Sequence, residues 1–506
     1  MRLIILTLAL VACSGPAKEV EHVQNPAEEA GEVPVAEAGP PMPASSGDRI
    51  GERTPAPPAA SPYVPPPLQW TVPPTATPGV WPPPMAAHAP YPTTSMPPGP
   101  APNPGISEKW KTEVGLTTYK STIHYFDGKV VVGSNGDGWK DTSDPLDGVH
   151  ILDPAAGKLI TQIVPPGGDE KDSNGVALTK DHVFFGTDQE ILYKTDWAGS
   201  VLWKAKLKGD VEAAPALADL NGDTVLDVAV GSEGGFFYTI NGKNGKTLKQ
   251  VKAAAGGYGA TGFLGAAALY DVTGDGVADA FVPCRDDVFR AIDGKKGKIL
   301  WSHHGGSGMH GAPIIVNADA DAALEVVFTE AYSDVFCADA KTGSIKWKAT
   351  LENPDGGIEG LFSPVGWFPD ASCVLVSTAW WGSHEGVYCL AGDTGQIKWR
   401  YGHPKRNITS GAVIGDIDGK PGAEAVIGTE GGQVVALDAQ GAVVWSQTLG
   451  GSIECTPTLA DIDGDGLTEV LVAASNGSLY AFDTPGKAPP VIGYHRAGPT
   501  NSGVMP

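Results

Sequence analysis

Asp461-Ile462-Asp463-Gly464-Asp465-Gly466-Leu467-Thr468-Glu469 puts carboxylates at positions 1, 3, 5 and 9 of one short loop. A hard cation such as calcium takes about six to eight oxygen ligands, so a chain that wraps one must turn sharply between them. Gly464 and Gly466 permit those turns. The loop runs into the apolar Val470-Leu471-Val472-Ala473, which reads as a strand. Asn476-Gly477 then makes a turn, and a second strand follows from Ser478 to Phe482.

The same unit recurs upstream. Asp219, Asn221, Asp223 and Asp227 precede Val228-Ala229-Val230, and Asp271, Thr273, Asp275 and Asp279 precede Ala280-Phe281-Val282. Asn317, Asp319, Asp321 and Glu325 precede Val326-Val327-Phe328. Asp416, Asp418 and Glu424 form a degraded copy, with Lys420 in place of the third carboxylate. The expectation is that the four fuller loops, ending with Asp461, Asp463, Asp465 and Glu469, bind structural calcium. A structural role is favoured over a regulatory one because extracellular calcium keeps even weak sites filled. The alternative is an acidic turn that holds itself by side-chain hydrogen bonds to its own amides.

A second marker repeats beside the first. A glycine is followed four residues later by tryptophan at Gly199/Trp203, Gly297/Trp301, Gly343/Trp347, Gly395/Trp399 and Gly441/Trp445. Each unit reads as four short strands, with the acidic loop or a tight turn between the first and second and the glycine turn between the third and fourth. Short strands, many turns and no helical periodicity predict an all-β chain. Four-stranded repeats of this length are propeller blades. Eight are expected, starting near residues 116, 171, 210, 261, 309, 356, 407 and 452. Pro485, Pro489 and Pro490 interrupt the last unit, and Glu108-Lys109-Trp110-Lys111 is a spare tryptophan strand at the other end. It is expected to complete blade eight and close the ring.

Residues 1–13 read as an export signal. Arg2 is its basic start and Leu3 to Ala12 its apolar core, too short to span a bilayer. Leu10-Val11-Ala12-Cys13 resembles a bacterial lipobox, which would leave Cys13 acylated at the new N-terminus. Residues 14–105 hold 26 of the 44 prolines. Such a segment buries too little apolar surface to offset its chain entropy and is expected to be a disordered tether. The body is then residues 106–506.

The formal net charge is −23, which argues against nucleic acid as a partner. With Cys13 acylated, Cys284, Cys337, Cys373, Cys389 and Cys455 remain. Cys373 and Cys389 lie on adjacent strands of one blade, and whether they bond depends on register. No nucleophile elbow, zinc motif or phosphate loop is present.

The loops between first and second strands share one face of a propeller with the glycine turns. The opposite face collects the unusual residues: Trp380, Trp381, His384 and Glu385 on one loop, and His303, His304, His310 and Arg406 in links between blades. Adjacent tryptophans on a loop have no core to fill and are candidates for binding protein or sugar. The histidines are candidates for acid–base work, but no carboxylate stands at a diagnostic spacing from them.

The Asp-x-x-x-Gly-x-x-x-Trp turns resemble the tryptophan-docking repeats of eight-bladed quinoprotein-type (PQQ-like) propellers, the repeat that also builds the outer-membrane assembly lipoprotein BamB. The acidic loops resemble FG-GAP or VCBS repeats, and Gly262-Phe263-Leu264-Gly265-Ala266 before Asp271 fits that pattern loosely. The resemblance implies a monomeric propeller lipid-anchored in the bacterial envelope, at the outer membrane, with a protein or polysaccharide partner. It implies a non-enzymatic scaffold in the first place, and a calcium-dependent polysaccharide lyase or quinoprotein dehydrogenase acting at the channel mouth as the alternative. PQQ itself is not expected, because the adjacent cysteine pair familiar from quinoprotein dehydrogenases is missing.

Overall fold

The computed structural model describes residues 93–95, 104–137, 143–254, 261–319, 321–351, 360–379, 386–402, 407–488, 498 and 500–505. The signal, the lipobox Cys13 and nearly all of the expected tether lie outside them. The described chain is all-β, with one short 3-10 turn at Pro369–Ala371. None of its helices is long and apolar enough to cross a membrane.

Eight sheets of four antiparallel strands follow one another along the chain. Their first strands (A) are Ile123–Phe126, Val176–Leu178, Ala216–Ala218, Ala268–Tyr270, Ile314–Val316, Gly366–Phe368, Val413–Gly415 and Thr458–Ala460. Strands A to C are mostly buried, so they read as continuous apolar runs such as Val326-Val327-Phe328 within Glu325–Thr329. The outer strand D alternates instead, as in Val201–Lys206, because one of its faces meets solvent. Core clusters bridge neighbouring blades: Ile314, Val327 and Trp347 of blade five pack with Val374 and Tyr388 of blade six. A blade thus buries its two faces only between neighbours, which is why the ring must close.

Closure comes from the N-terminal end of the body. Ser107–Glu113 pairs antiparallel with Ser478–Lys487 and forms the outer strand of blade eight, with Trp110 opposite Ala481. Pro485 sits where the neighbouring pairing slips, between Asp483 and Lys487, so its missing amide breaks no ladder. Thr93–Ser95 adds a fifth, parallel strand beside Ile397–Gly402 of blade six.

The Gly–Trp spacing has a direct physical reading. Five indoles dock on the glycine turn of the next blade, while Trp445 packs against Phe482 of blade eight. Trp347 Nε1 donates to Gly392 O at 2.7 Å, and Trp110, Trp203, Trp301 and Trp399 donate to Pro154, Gly242, Ala340 and Ala439 in the same way. A Cβ on Gly395 would lie 2.5 Å from the Trp347 ring, and Gly395 has φ +69°. Only glycine meets both demands. Within blade six, Cys373 and Cys389 form a disulfide, while Cys284, Cys337 and Cys455 are free and buried.

The C-terminal residues turn back into the middle of the ring. Thr500 O, Ser502 O and Gly503 O accept the amides of Leu217, Leu269 and Ile315, the central residues of the A strands of blades three, four and five. Asn501 is fully buried, and its Nδ2 donates to Val176 O and Pro215 O at 2.8 and 2.9 Å. Val504 and Met505 pack on the core clusters of the surrounding blades. The inner strand edges of blades three to five, whose central amides would otherwise be unpaired, are satisfied by this tail.

Candidate functional site

The acidic loops share one device. In all five, the position-9 carboxylate is buried and accepts the amide of position 2: Asp227 from Leu220, Asp279 from Val272, Glu325 from Ala318, Glu424 from Ile417 and Glu469 from Ile462, at 2.7 to 3.0 Å. Burial pushes Asp227 up to about 6 and Glu424 and Glu469 up to about 7. This residue therefore braces the loop before it can serve a cation.

The loops differ in the rest. In 219–227 and 271–279 the other position-9 oxygen accepts from Gly242 or Gly294, and Asp219 and Asp271 are wrapped by loop amides. Asp271 is depressed: burial acts to raise it, but the Gly276 and Gly274 amides outweigh that. No three carboxylate oxygens from the separate acids of either of these two loops lie within 4.8 Å of one another. Oxygens of Asp319/Asp321/Glu325, Asp416/Asp418/Glu424 and Asp461/Asp463/Asp465 do lie within 4.8 Å of one another in each group. In blade five a cation is already supplied by the chain: Lys346 Nζ lies 2.7, 2.9 and 2.6 Å from Asp319, Asp321 and Glu325. Asn317 in the same loop donates through Nδ2 to Asp321 O. In blade eight Lys109 bridges Asp463 and Asp483 at 2.6 and 2.7 Å. Both lysines directly precede the docking tryptophan of an outer strand, which aims the side chain back at the first loop of its own blade. The donor set Asp461, Asp463 and Asp465 is all hard oxygen and suits calcium, which would neutralise the loop there.

Trp380, Trp381, His384, Glu385 and Arg406, expected on the opposite face, lie outside the described residues. The three described histidines are separated. His303 is the penultimate residue of the outer strand of blade four and packs on Phe336, ring centroids 4.4 Å apart, with Nε2 3.5 Å from Glu330. His304 is exposed at the end of the same strand. His310 reaches the channel mouth, against Phe362. There Tyr119, Lys120, Ala214, Ala266, His310 and Phe362 line a recess of about 30 Å³, room for one or two waters. Burial pushes His310 down to about 3, with Arg285 and Lys120 adding to the effect, and its Nδ1 has no partner. A general base works best with a pKa near the working pH, and this one is far below it. Lys120 is held by Glu212 and, at 4.0 Å, by Glu233.

Around the mouth the links and turns of blades one to three carry carboxylates with few cations. Burial first, and then neighbouring acids, push Asp172, Asp188 and Asp210 up to about 8, 7 and 6. The sequence reading passed over this row, because the residues come from separate loops with no common spacing.

No curated protein matches the chain. The family model described as outer membrane protein assembly factor BamB matches residues 147–277 and 227–363, and that of the lambda-carrageenase beta-propeller domain matches residues 425–489. Among solved structures, BamB from Moraxella catarrhalis matches at 14% identity and TM-score 0.53, covering 75% of this chain and 99% of that one. The chain is similar in fold to BamB. Quinohemoprotein alcohol dehydrogenase from Comamonas testosteroni matches at 13% identity and TM-score 0.57, covering 76% and 77%. A europium-containing methanol dehydrogenase matches at 13% identity and TM-score 0.56, covering 75% and 93%. At these identities the likeness is one of fold, and a shared propeller hosts many activities.

Proposed function

We propose that this chain is a non-enzymatic scaffold of the bacterial envelope: a lipoprotein anchored at the outer membrane through Cys13, which presents a rigid propeller to a protein partner. The observation that carries this reading is the C-terminal tail in the channel. A quinone enzyme needs a pocket there, and residues 500–505 take up the inner edges of blades three to five. His310, Lys120 and Arg285 do gather at the mouth, as a lyase would need, but around a recess of about 30 Å³ and a histidine held neutral. The match to a carrageenase propeller domain keeps a polysaccharide partner in view for blades seven and eight. A net charge of −23 and the acidic row disfavour a polyanion and favour a neutral or basic protein surface.

The test is photocrosslinking in intact envelopes, with the probe placed at Glu212 on the mouth face or at Ile299 on the outer rim. A discrete protein adduct from Glu212 and none from Ile299 supports the scaffold. Dye reduction by purified protein reconstituted with PQQ and calcium, or depolymerisation of an envelope polysaccharide, refutes it.

A further inference from the structure

The seam between blades one and two carries a second oxygen cluster, on the face opposite the acidic loops. Asn135 ends strand Lys129–Asn135 and Asp147 begins strand Asp147–Leu152; the two are direct cross-strand partners, so their side chains leave the same face of the sheet. Asn135 is 2% exposed and Asp147 1% exposed, and the Oδ1 of each has no hydrogen-bond partner. From the link into blade two, Asp172, 8% exposed, brings its carboxyl within hydrogen-bonding reach of Asp147, as does the Ser143 hydroxyl.

The surroundings hold these oxygens in place. Asp147 Oδ2 accepts the Asp144 amide at 2.8 Å, and Asp144 in turn accepts the amides of Asp137 and Leu146. The Asp144 carboxyl packs over Gly136, where a Cβ would lie 2.1 Å from it. Asp188, whose Oδ1 is also buried without a partner, adds negative field at Asp172.

Buried acceptors are normally met by a donor. A proton shared between Asp147 and Asp172 would meet one contact and leave Asn135 Oδ1 alone. A cation seated between the cross-strand pair and Asp172 would meet these oxygens together, and an all-oxygen set selects a hard ion. We propose that Asn135, Asp147 and Asp172 form a binding site for a divalent cation of the calcium class, which pins the seam between blades one and two. It is independent of the acidic loops: different blades, the opposite face and different residues. It is also independent of the scaffold reading, since it concerns only how the mouth face is held.

The experiment is equilibrium dialysis of the full chain against calcium, with bound metal counted by mass spectrometry. Asp172→Asn is expected to bind one calcium fewer than wild type, and Asp461→Asn/Asp463→Asn to show a separate, additive loss. In chelator, Asp172→Asn melts at or above wild type, because the new amide donates to Asp147. Asn135→Asp adds a charged ligand and tightens the site about tenfold. An unchanged calcium count in Asp172→Asn overturns the site and leaves a shared-proton pair. If Asp172→Asn does not fold, Asn135→Asp decides alone: tighter binding supports the site, and unchanged affinity overturns it.

Discussion

Lys346→Met tests whether an ammonium stands in for a metal ion in blade five. The Lys346 Nζ contacts three carboxylates, but they are not equal. The Glu325 side chain is fully buried, whereas those of Asp319 and Asp321 are 23% and 51% exposed. Exposed pairs contribute about 0–1 kcal/mol each, so most of the effect lies with Glu325. Breaking a buried pair and stranding one charge costs about 3–5 kcal/mol. Lys346 is itself 24% exposed, and Glu325 keeps the Ala318 amide, so about 2–4 kcal/mol is expected for this variant. The three carboxylates already lie within 4.8 Å of one another, so the methionine variant should gain a calcium site. With a Kd of about 10⁻⁴ M, 1 mM calcium would return about 1.4 kcal/mol. The assay is the denaturant midpoint of wild type and variant, each in chelator and in calcium. The informative quantity is the extra calcium effect in the variant over that in wild type. A loss below about 0.5 kcal/mol, or equal calcium effects in the two proteins, would show that Lys346 merely decorates the surface.

Three further outcomes are expected. Trp347→Ala should cost about 3–5 kcal/mol as a large-to-small core change, and Gly395→Ala about 2–3 kcal/mol from positive φ and overpacking; in the double variant the clash disappears, so denaturation midpoints should show the two effects falling short of additive by about 1–2 kcal/mol. Truncation after residue 498 should expose the amides of Leu217, Leu269 and Ile315 to fast hydrogen exchange while distant blades keep their protection; uniform protection would mean that the tail does not fill the channel. Stability in chelator should rise as pH falls from about 8.5, most steeply above pH 6.5. Asp172, Asp188 and Asp210 are raised by burial to about 8, 7 and 6, so the folded chain holds protons that the unfolded chain has lost, and stability rises as pH falls from about 8.5 to 6.5. Burial lowers His124 and His150 to about 4, so below pH 6.5 the unfolded chain gains two protons that the folded chain refuses, which offsets part of the three held by Asp172, Asp188 and Asp210 and flattens the rise. Melting scans across pH that climb steadily toward 8.5 would contradict these assignments.

The propeller was legible in the sequence because its determinants are local and periodic. The Gly–Trp spacing marks five of the eight outer strands, since an indole can reach the next blade only over a residue with no Cβ. The spare Trp110 strand announced ring closure, because blade eight lacked a partner for its third strand. Position 9 of every acidic loop was visible as a carboxylate, yet its main task, accepting the position-2 amide, depends on a turn that forms only when the blade is built. Which loops gather their oxygens could not be read either. Lys346 and Lys109 come from outer strands, and in blade eight that strand precedes its loop by some 350 residues in the chain. The cysteine pairing likewise waited on strand register. Nothing in Thr500-Asn501-Ser502-Gly503 foretells a channel strap, because its partners are backbone groups of four different blades. The buried Asn135, Asp147 and Asp172 cluster has the same origin. Periodicity encodes what each blade is, and the closed ring alone decides which distant side chains and edges meet at its centre and seams.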